Sequence, residues 1–303
     1  MPAESLSSAG TANARLVHMS DFLELLAADA ANSSDFTDRS GISATDRART
    51  VLFECLFNHL ADDRVASLFT ILGFEHDFTC YAIAGYPARS AARSRVDIEK
   101  IVADFGGTCL TAEHPITGLT GADNGTGRTA VVVLIRPVGA ATPEIICNTI
   151  APAFDADRPI ALGPQRTGAE GAMRSVQATL YCLKAAPALA ATAQSLPRPL
   201  RTDDALPERA LIGDEDARDE LIRVVYGSLT AAGPDDPTLL TVSTFLKYGG
   251  SLETCAKELN VHPNTIRYRL KRAAESTGWD ATDPREAYVL ITAIALGRMA
   301  TAQ

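Results

Sequence analysis

At 303 residues the chain has room for two domains, and its 46% hydrophobic and 21% charged content is that of a globular protein. The longest unbroken apolar run, 130–135, falls far short of the roughly 20 residues a membrane-spanning helix needs, so no membrane partner is expected. A net charge of −9 argues against promiscuous nucleic-acid binding, but phosphate fields fade over about 8–10 Å, so a local basic patch is enough for a specific one.

The first 14 residues are small and polar and lack a basic stretch followed by an apolar core, so a cytoplasmic location is expected. Residues 16–30 carry Leu16, Val17, Phe22, Leu23, Leu25 and Leu26 at helical spacing, and 32–43 read as a polar linker. Residues 1–44 are thus expected to be a disordered tail with one short helix. From 45 to 72 two helices are expected, broken near Asp62 and Asp63. Residues 77–84 alternate and are rich in β-formers, so they read as a strand. Residues 94–105 follow as a helix with Val96, Ile98, Ile101, Val102 and Phe105 on its apolar side. One or two short strands should lie in 106–120, and 121–128 (GADNGTGR) has turn composition. The apolar run at 129–135 reads as a central strand. A helix at 142–154, a short strand at 158–163 and a long helix at 169–189 complete an α+β unit spanning 45–195 with a mostly antiparallel sheet. The three prolines of 195–207 suggest an interdomain linker, set at 196–207, before an all-helical region at 208–303. Its helices are expected at 214–228, 236–248, 251–259, 263–276 and 283–300.

The six cysteines (Cys55, Cys80, Cys109, Cys147, Cys182, Cys255) have no C-x-x-C spacing and read as small buried hydrophobes. The five histidines have no metal-ligand spacing, so no metal and no cofactor is expected. Residues 121–129 fail as a phosphate-binding loop, because Arg128 stands where Lys is needed and a strand follows instead of a helix. Asp97 and Glu99, two apart on a helix, point away from each other and make no catalytic pair.

The chemistry concentrates in 249–277, GGSLETCAKELNVHPNTIRYRLKRAAEST. Two glycines end one helix, Ser251 can cap the next, and Cys255 and Ala256 are small enough for a close helix crossing. A turn at Asn260, Val261 and His262 leads into Pro263 at the first position of a second helix. On that helix Ile266, Leu270, Ala273 and Ala274 are spaced to face a core. Asn264, Thr265, Tyr268, Arg269, Lys271 and Arg272 take the other face, with Arg267 at the boundary. Hydrogen-bonding groups in the first turn and cations after it suit a recognition helix, whose N-terminal end reaches base edges while flanking groups hold phosphates. A solvated basic face is the bland alternative, but 263–274 contains no acid. His262 serves either as a local cap or as a hydrogen-bond donor to a phosphate or base.

The segment LNVHPNTIRYRL (259–270) resembles the C-terminal helix-turn-helix of the PucR (purine catabolism regulator, CdaR-like) family, and the resemblance covers about 60–65 residues. A weaker one over 45–226, including LPERAL (206–211), is to a degenerate GGDEF-like domain as found in the actinobacterial, FasR- and MabR-like branch, whose members control fatty-acid and mycolic-acid synthesis genes. The resemblance implies a transcription regulator that binds double-stranded DNA through His262, Asn264, Thr265, Arg267, Tyr268, Arg269, Lys271 and Arg272, acts as a homodimer or higher oligomer, and responds to a small molecule, an acyl-CoA being the implied effector. The acidic turn of an active diguanylate cyclase is missing: 105–108 (FGGT) has no acid and 121–125 (GADNG) has one in the wrong order, so no enzymatic activity is expected. The alternatives are a PucR-type regulator of purine or amino-acid catabolism, a nucleotide cyclase with a DNA-binding tail, and an interaction module whose basic helix meets an acidic partner. Helices at 47–60 and 65–74 suit a ligand pocket or a dimer interface equally.

Overall fold

The computed structural model describes residues 43–75, 77–117, 128–137, 139–190, 196–233 and 236–302. The expected helix at 16–30 and the turn at 121–127 lie outside them. The chain opens with two helices, α1 (Ala44–Phe57) and α2 (Asp63–Ile71), each started by a side chain that accepts from its first turn: Ser43 from the amide of Asp46, and Asp62 from those of Arg64 and Val65. Strand β1 (Thr79–Gly85) and α3 (Ala91–Asp104) follow, then the long antiparallel pair β2 (Thr108–Ile116) and β3 (Arg128–Arg136). Next come α4 (Pro143–Ile150), β4 (Ile160–Leu162), β5 (Arg166–Thr167) and the 23-residue α5 (Gly168–Ala190).

The sheet order is β2-β3-β1-β4-β6, with β5 pairing β1. All pairings are antiparallel except that between β4 and β6 (Leu200–Arg201), which is parallel. The long apolar run is thus central, as its composition demands, because both faces of β3 are covered. Ala130, Val132 and Leu134 join Leu52, Phe53, Phe69, Val176 and Leu180 of α1, α2 and α5. Val131, Val133 and Ile135 join Ile98, Val102, Ile146 and Ile150 of α3 and α4 on the other face. Where β4 ends and β5 begins, the ladder along β1 has a gap. Ser175 of α5, fully buried, fills it: its Oγ accepts from the Ala82 amide at 2.8 Å and donates to the Pro164 carbonyl at 2.8 Å.

Two expectations are corrected. Val96 is not on the apolar side of α3 but 56% exposed, and Ser94 takes the inward place, donating to the Ala153 carbonyl at 2.7 Å. The stretch read as a linker, 196–207, is integrated into the fold. Leu200 is buried in the sheet edge, Arg198 donates to the carbonyls of Asp155, Ala156 and Arg158, and a 3-10 turn, Thr202–Ala205, passes straight into α6 (Leu206–Leu211), a helix the proline count concealed. The glycine pair at 106 and 107 sits in the turn between α3 and β2, where a side chain at Gly107 would press on Val102 and the Arg136 carbonyl. All six cysteines are free thiols, five of them buried. Burial pushes Cys80, Cys147 and Cys182 up to about 12, which keeps them unreactive.

The remaining helices form their own core. α7 starts at Glu215–Glu220 and continues through a π-helical stretch, Leu221–Tyr226, and a last turn, Gly227–Thr230. It is followed by α8 (Thr238–Lys247), α9 (Leu252–Glu258), α10 (Pro263–Thr277) and α11 (Pro284–Thr301). Leu221, Val225, Val242, Phe245, Ile266, Leu270 and Val289 pack at the centre. Gly297 is where α11 crosses α7 most closely, since a Cβ there would fall 2.1 Å from the Tyr226 ring. Among the described residues no helix is long and apolar enough to cross a membrane, and no group of three His, Cys, Asp or Glu could hold a metal ion.

Candidate nucleic-acid interface

The helix-turn-helix is assembled by short-range rules. Gly249 and Gly250, at φ +63° and +82°, stop α8 in a conformation other residues resist. Ser251 then caps α9, its Oγ accepting from the Thr254 amide at 3.2 Å. Cys255 and Ala256 are buried where α9 meets its neighbours. The turn closes when the Val261 amide donates to the Ala256 carbonyl at 3.0 Å, with Asn260 left-handed at φ +51° and Val261 packed on the helical core. His262 is the N-cap of α10: its Nδ1 accepts from the Asn264 amide at 3.2 Å, which fills the capping role and leaves Nε2 as the donor on the exposed side. Pro263 takes the first position and Gly278, at φ +79°, ends the helix.

Ile266, Leu270, Ala273 and Thr277 are buried at i, i+4, i+7 and i+11, which fixes the rotation of α10. The opposite face is therefore a stripe of Asn264, Arg267, Tyr268 and Lys271, all exposed, with Tyr268 at 68%. Within it the Arg267 guanidinium donates to the Asn264 side-chain oxygen at 2.7 Å. Among the described residues Lys271 pairs with Glu275 at 3.8 Å, and both are well exposed, so that pair is weak.

The eight residues singled out in the sequence do not form one surface. Thr265 is half-buried beside the stripe. Arg269 turns inward and donates to Thr241 Oγ1 of α8 at 3.3 Å, so it braces two helices. Arg272 is paired at 3.4 Å with Asp236, whose carboxyl is held below its usual range by hydrogen bonds from Thr238. Both partners lie about thirty residues upstream, beyond the reach of local pattern. Trp279 packs on the helical core, and Asp283 caps α11 by accepting from the amides of Arg285 and Glu286 at 2.8 and 2.9 Å.

The sequence did not point to the side chains that join this unit to the sheet domain. The two charges of LPERAL part company. Glu208 pairs with Arg285 of α11 through both oxygens, at 2.5 and 2.7 Å, while Arg209 pairs with Asp214 through Nε and Nη2, each at 2.8 Å. The second pair is almost completely buried, and Arg209 also donates to the Thr202 carbonyl at 3.0 Å. Asp214 uses its other oxygen to cap α7. Arg174 of α5 reaches across to Asp216 at 2.7 Å.

Comparison with known proteins agrees with this two-part layout. Residues 238–296 match the PucR C-terminal helix-turn-helix domain, and 58–185 match the GGDEF-like domain. The crystal structure of a regulator of polyketide synthase expression from Bifidobacterium adolescentis superposes with a TM-score of 0.70 at 51% identity, covering 84% of this chain and 98% of that one. Uncharacterized proteins of Mycobacterium tuberculosis and Mycobacterium bovis are 37% identical over 214 residues, 70% of this chain and 48% of theirs. The chain thus spans about half the length of the curated relatives it matches.

Proposed function

The chain belongs to the PucR-type family of helix-turn-helix regulators, and from that premise we propose that it binds double-stranded DNA sequence-specifically in the cytoplasm, as a homodimer, to control genes of fatty-acid and related lipid synthesis. The observation that carries the reading is the exposed stripe of α10, where a hydrogen-bonding first turn leads into cations while the opposite face is locked in the core. Asn264, Arg267 and Tyr268 are placed to meet base edges, with Thr265 beside them. Lys271, Arg272 and the outward Nε2 of His262 are placed for phosphates. Arg269 supports the helix from behind. A two-fold operator favours a dimer.

The Bifidobacterium relative, a regulator of polyketide synthase expression, supports a target set among genes for building acyl chains. The family resemblance supports an acyl-CoA-like effector acting on a GGDEF-like domain that senses rather than catalyses. A gel-shift titration against the protein's own upstream DNA and fatty-acid synthesis promoters, at two salt concentrations, tests the reading with wild type and Lys271→Ala. Selective, salt-sensitive binding weakened in the variant supports it, and binding indifferent to promoter sequence at both salts overturns it. Titrating acyl-CoAs into the bound complex tests the effector separately.

A further inference from the structure

Between the end of α5 and the start of α11 lies a cleft of about 870 Å³, within the roughly 300–1,000 Å³ usual for small-molecule sites. Its walls come from both halves of the molecule. Leu196 and Leu200 contribute from the segment entering the sheet, Leu211 from α6, and Trp279 and Tyr288 from either side of the α11 start. Leu211 is 70% exposed and Tyr288 36%, so two large apolar groups stand in the open beside a half-buried indole. A ligand that covered both would remove apolar surface from water.

The margin of this cleft is acidic. Among the described residues that line it, Asp204, Glu208, Asp283 and Glu286 stand against one cation, Arg285. Arg285 is already committed: it grips both oxygens of Glu208, donates to the Asp204 carbonyl, and lies 5.8 Å from the Tyr288 ring centre. Asp283 and Glu286 are bonded to backbone amides, those of Arg285 and Glu286 for the first and that of Asp280 for the second. Backbone bonds leave their charges in place. Four carboxylates against one guanidinium leave three negative charges around an apolar floor.

From this we infer that the cleft is a binding site for a small cationic amphiphile, an apolar body carrying one ammonium-type head, which bridges the sheet domain and the DNA-binding helices. The head would lie by Asp204 with the indole of Trp279 as an aromatic face, and the body would cover Leu211 and Tyr288. Burial raises the Asp204 carboxyl above its ordinary value although the Arg201 and Arg285 guanidiniums lie near it. A fatty acid or an acyl-CoA would bring negative charge to a margin that already has too much of it. The effector proposed above therefore acts elsewhere on the chain, and this site is additional to it.

Isothermal titration of the full chain with decyltrimethylammonium and with decanoate, both below micellar concentrations, tests the inference. The cation is expected to bind with one-to-one stoichiometry and at least tenfold more tightly than the anion of equal chain length. Asp204→Asn and Leu211→Arg are each expected to weaken the cation by on the order of fivefold. The second residue is exposed, so its replacement leaves folding intact even if the first does not. Absence of binding, equal or tighter binding of decanoate, or affinity unmoved in Leu211→Arg overturns the proposal. DNA binding by the same variants without amphiphile is expected to match wild type, so failure here is distinguishable from failure of the DNA-binding reading.

Discussion

The split among the cations of α10 makes a quantitative prediction. Each phosphate contact contributes about 0.9 to the slope of log affinity against log salt, so raising salt fourfold, from 50 to 200 mM, costs about 3.5-fold per contact. Lys271 and Arg272 are the cations assigned to phosphates, giving a slope near 1.8 per protomer and about 3.6 for a dimer on two half-sites. Lys271→Ala should flatten the dimer slope by about 1.8, because its weak pairing with Glu275 leaves the ammonium free to meet phosphate. Arg269→Ala should leave the slope unchanged, since that guanidinium is turned onto Thr241, and should instead lower stability by about 1 kcal/mol through the lost brace. The assay is fluorescence anisotropy of a labelled operator at 50, 100 and 200 mM salt, paired with thermal melts. Equal flattening by the two variants would refute the assigned rotation of α10, as would an unchanged slope in Lys271→Ala.

Other consequences concern the frame. Ser175→Ala leaves the Ala82 amide buried with no ladder partner and should cost about 1–3 kcal/mol by chemical denaturation, whereas Ser175→Thr keeps the hydroxyl and tests crowding instead. Gly297→Ala drives a methyl into the Tyr226 ring and should lower stability by about 1–3 kcal/mol, with partial rescue by Tyr226→Ala in the same chain. Arg209→Met strands the buried Asp214 carboxylate and should cost about 3–5 kcal/mol; the double change Arg209→Met, Asp214→Asn should recover much of it while the α7 cap weakens. A calorimetric scan in which the double variant is no better than the single would sink that account.

Much of the fold is legible in the sequence where one local rule acts alone. The run 129–135 needs cover on both sides and so sits at the sheet centre, and Pro263, Ser251, Asp283 and the paired glycines mark helix ends that the structure places within a residue or two. The core stripe of α10 follows from spacing, and with it the exposed stripe of Asn264, Arg267, Tyr268 and Lys271. Spacing does not reveal which cations stay free. Arg269 and Arg272 lie on the polar side of a helical wheel like the others, but Thr241 and Asp236 reach them from α8 and the loop before it. Val96 fails for a different reason: at about 100° per residue it lies opposite Ile98 and Val102, while Ser94 falls on their side and donates to the Ala153 carbonyl.

The stretch between the two halves is the larger lesson. Three prolines and mixed charge are linker composition when each residue is weighed singly, because a free chain of that kind has little apolar surface to bury. Here the charges are not solvated. Arg198 is sunk among carbonyls of the loop before β4, Arg209 is buried against Asp214, and Glu208 is held by Arg285 from 77 positions away. Such pairs add little net stability, because desolvation offsets most of the attraction, but an unmatched charge at any of these points is strongly penalised. They fix how the stretch 198–214 sits between the sheet and α11 more than they strengthen it. Contacts run from α5 through α6 to α11, whose other contacts, with α7 and α8, set the frame on which α10 rests.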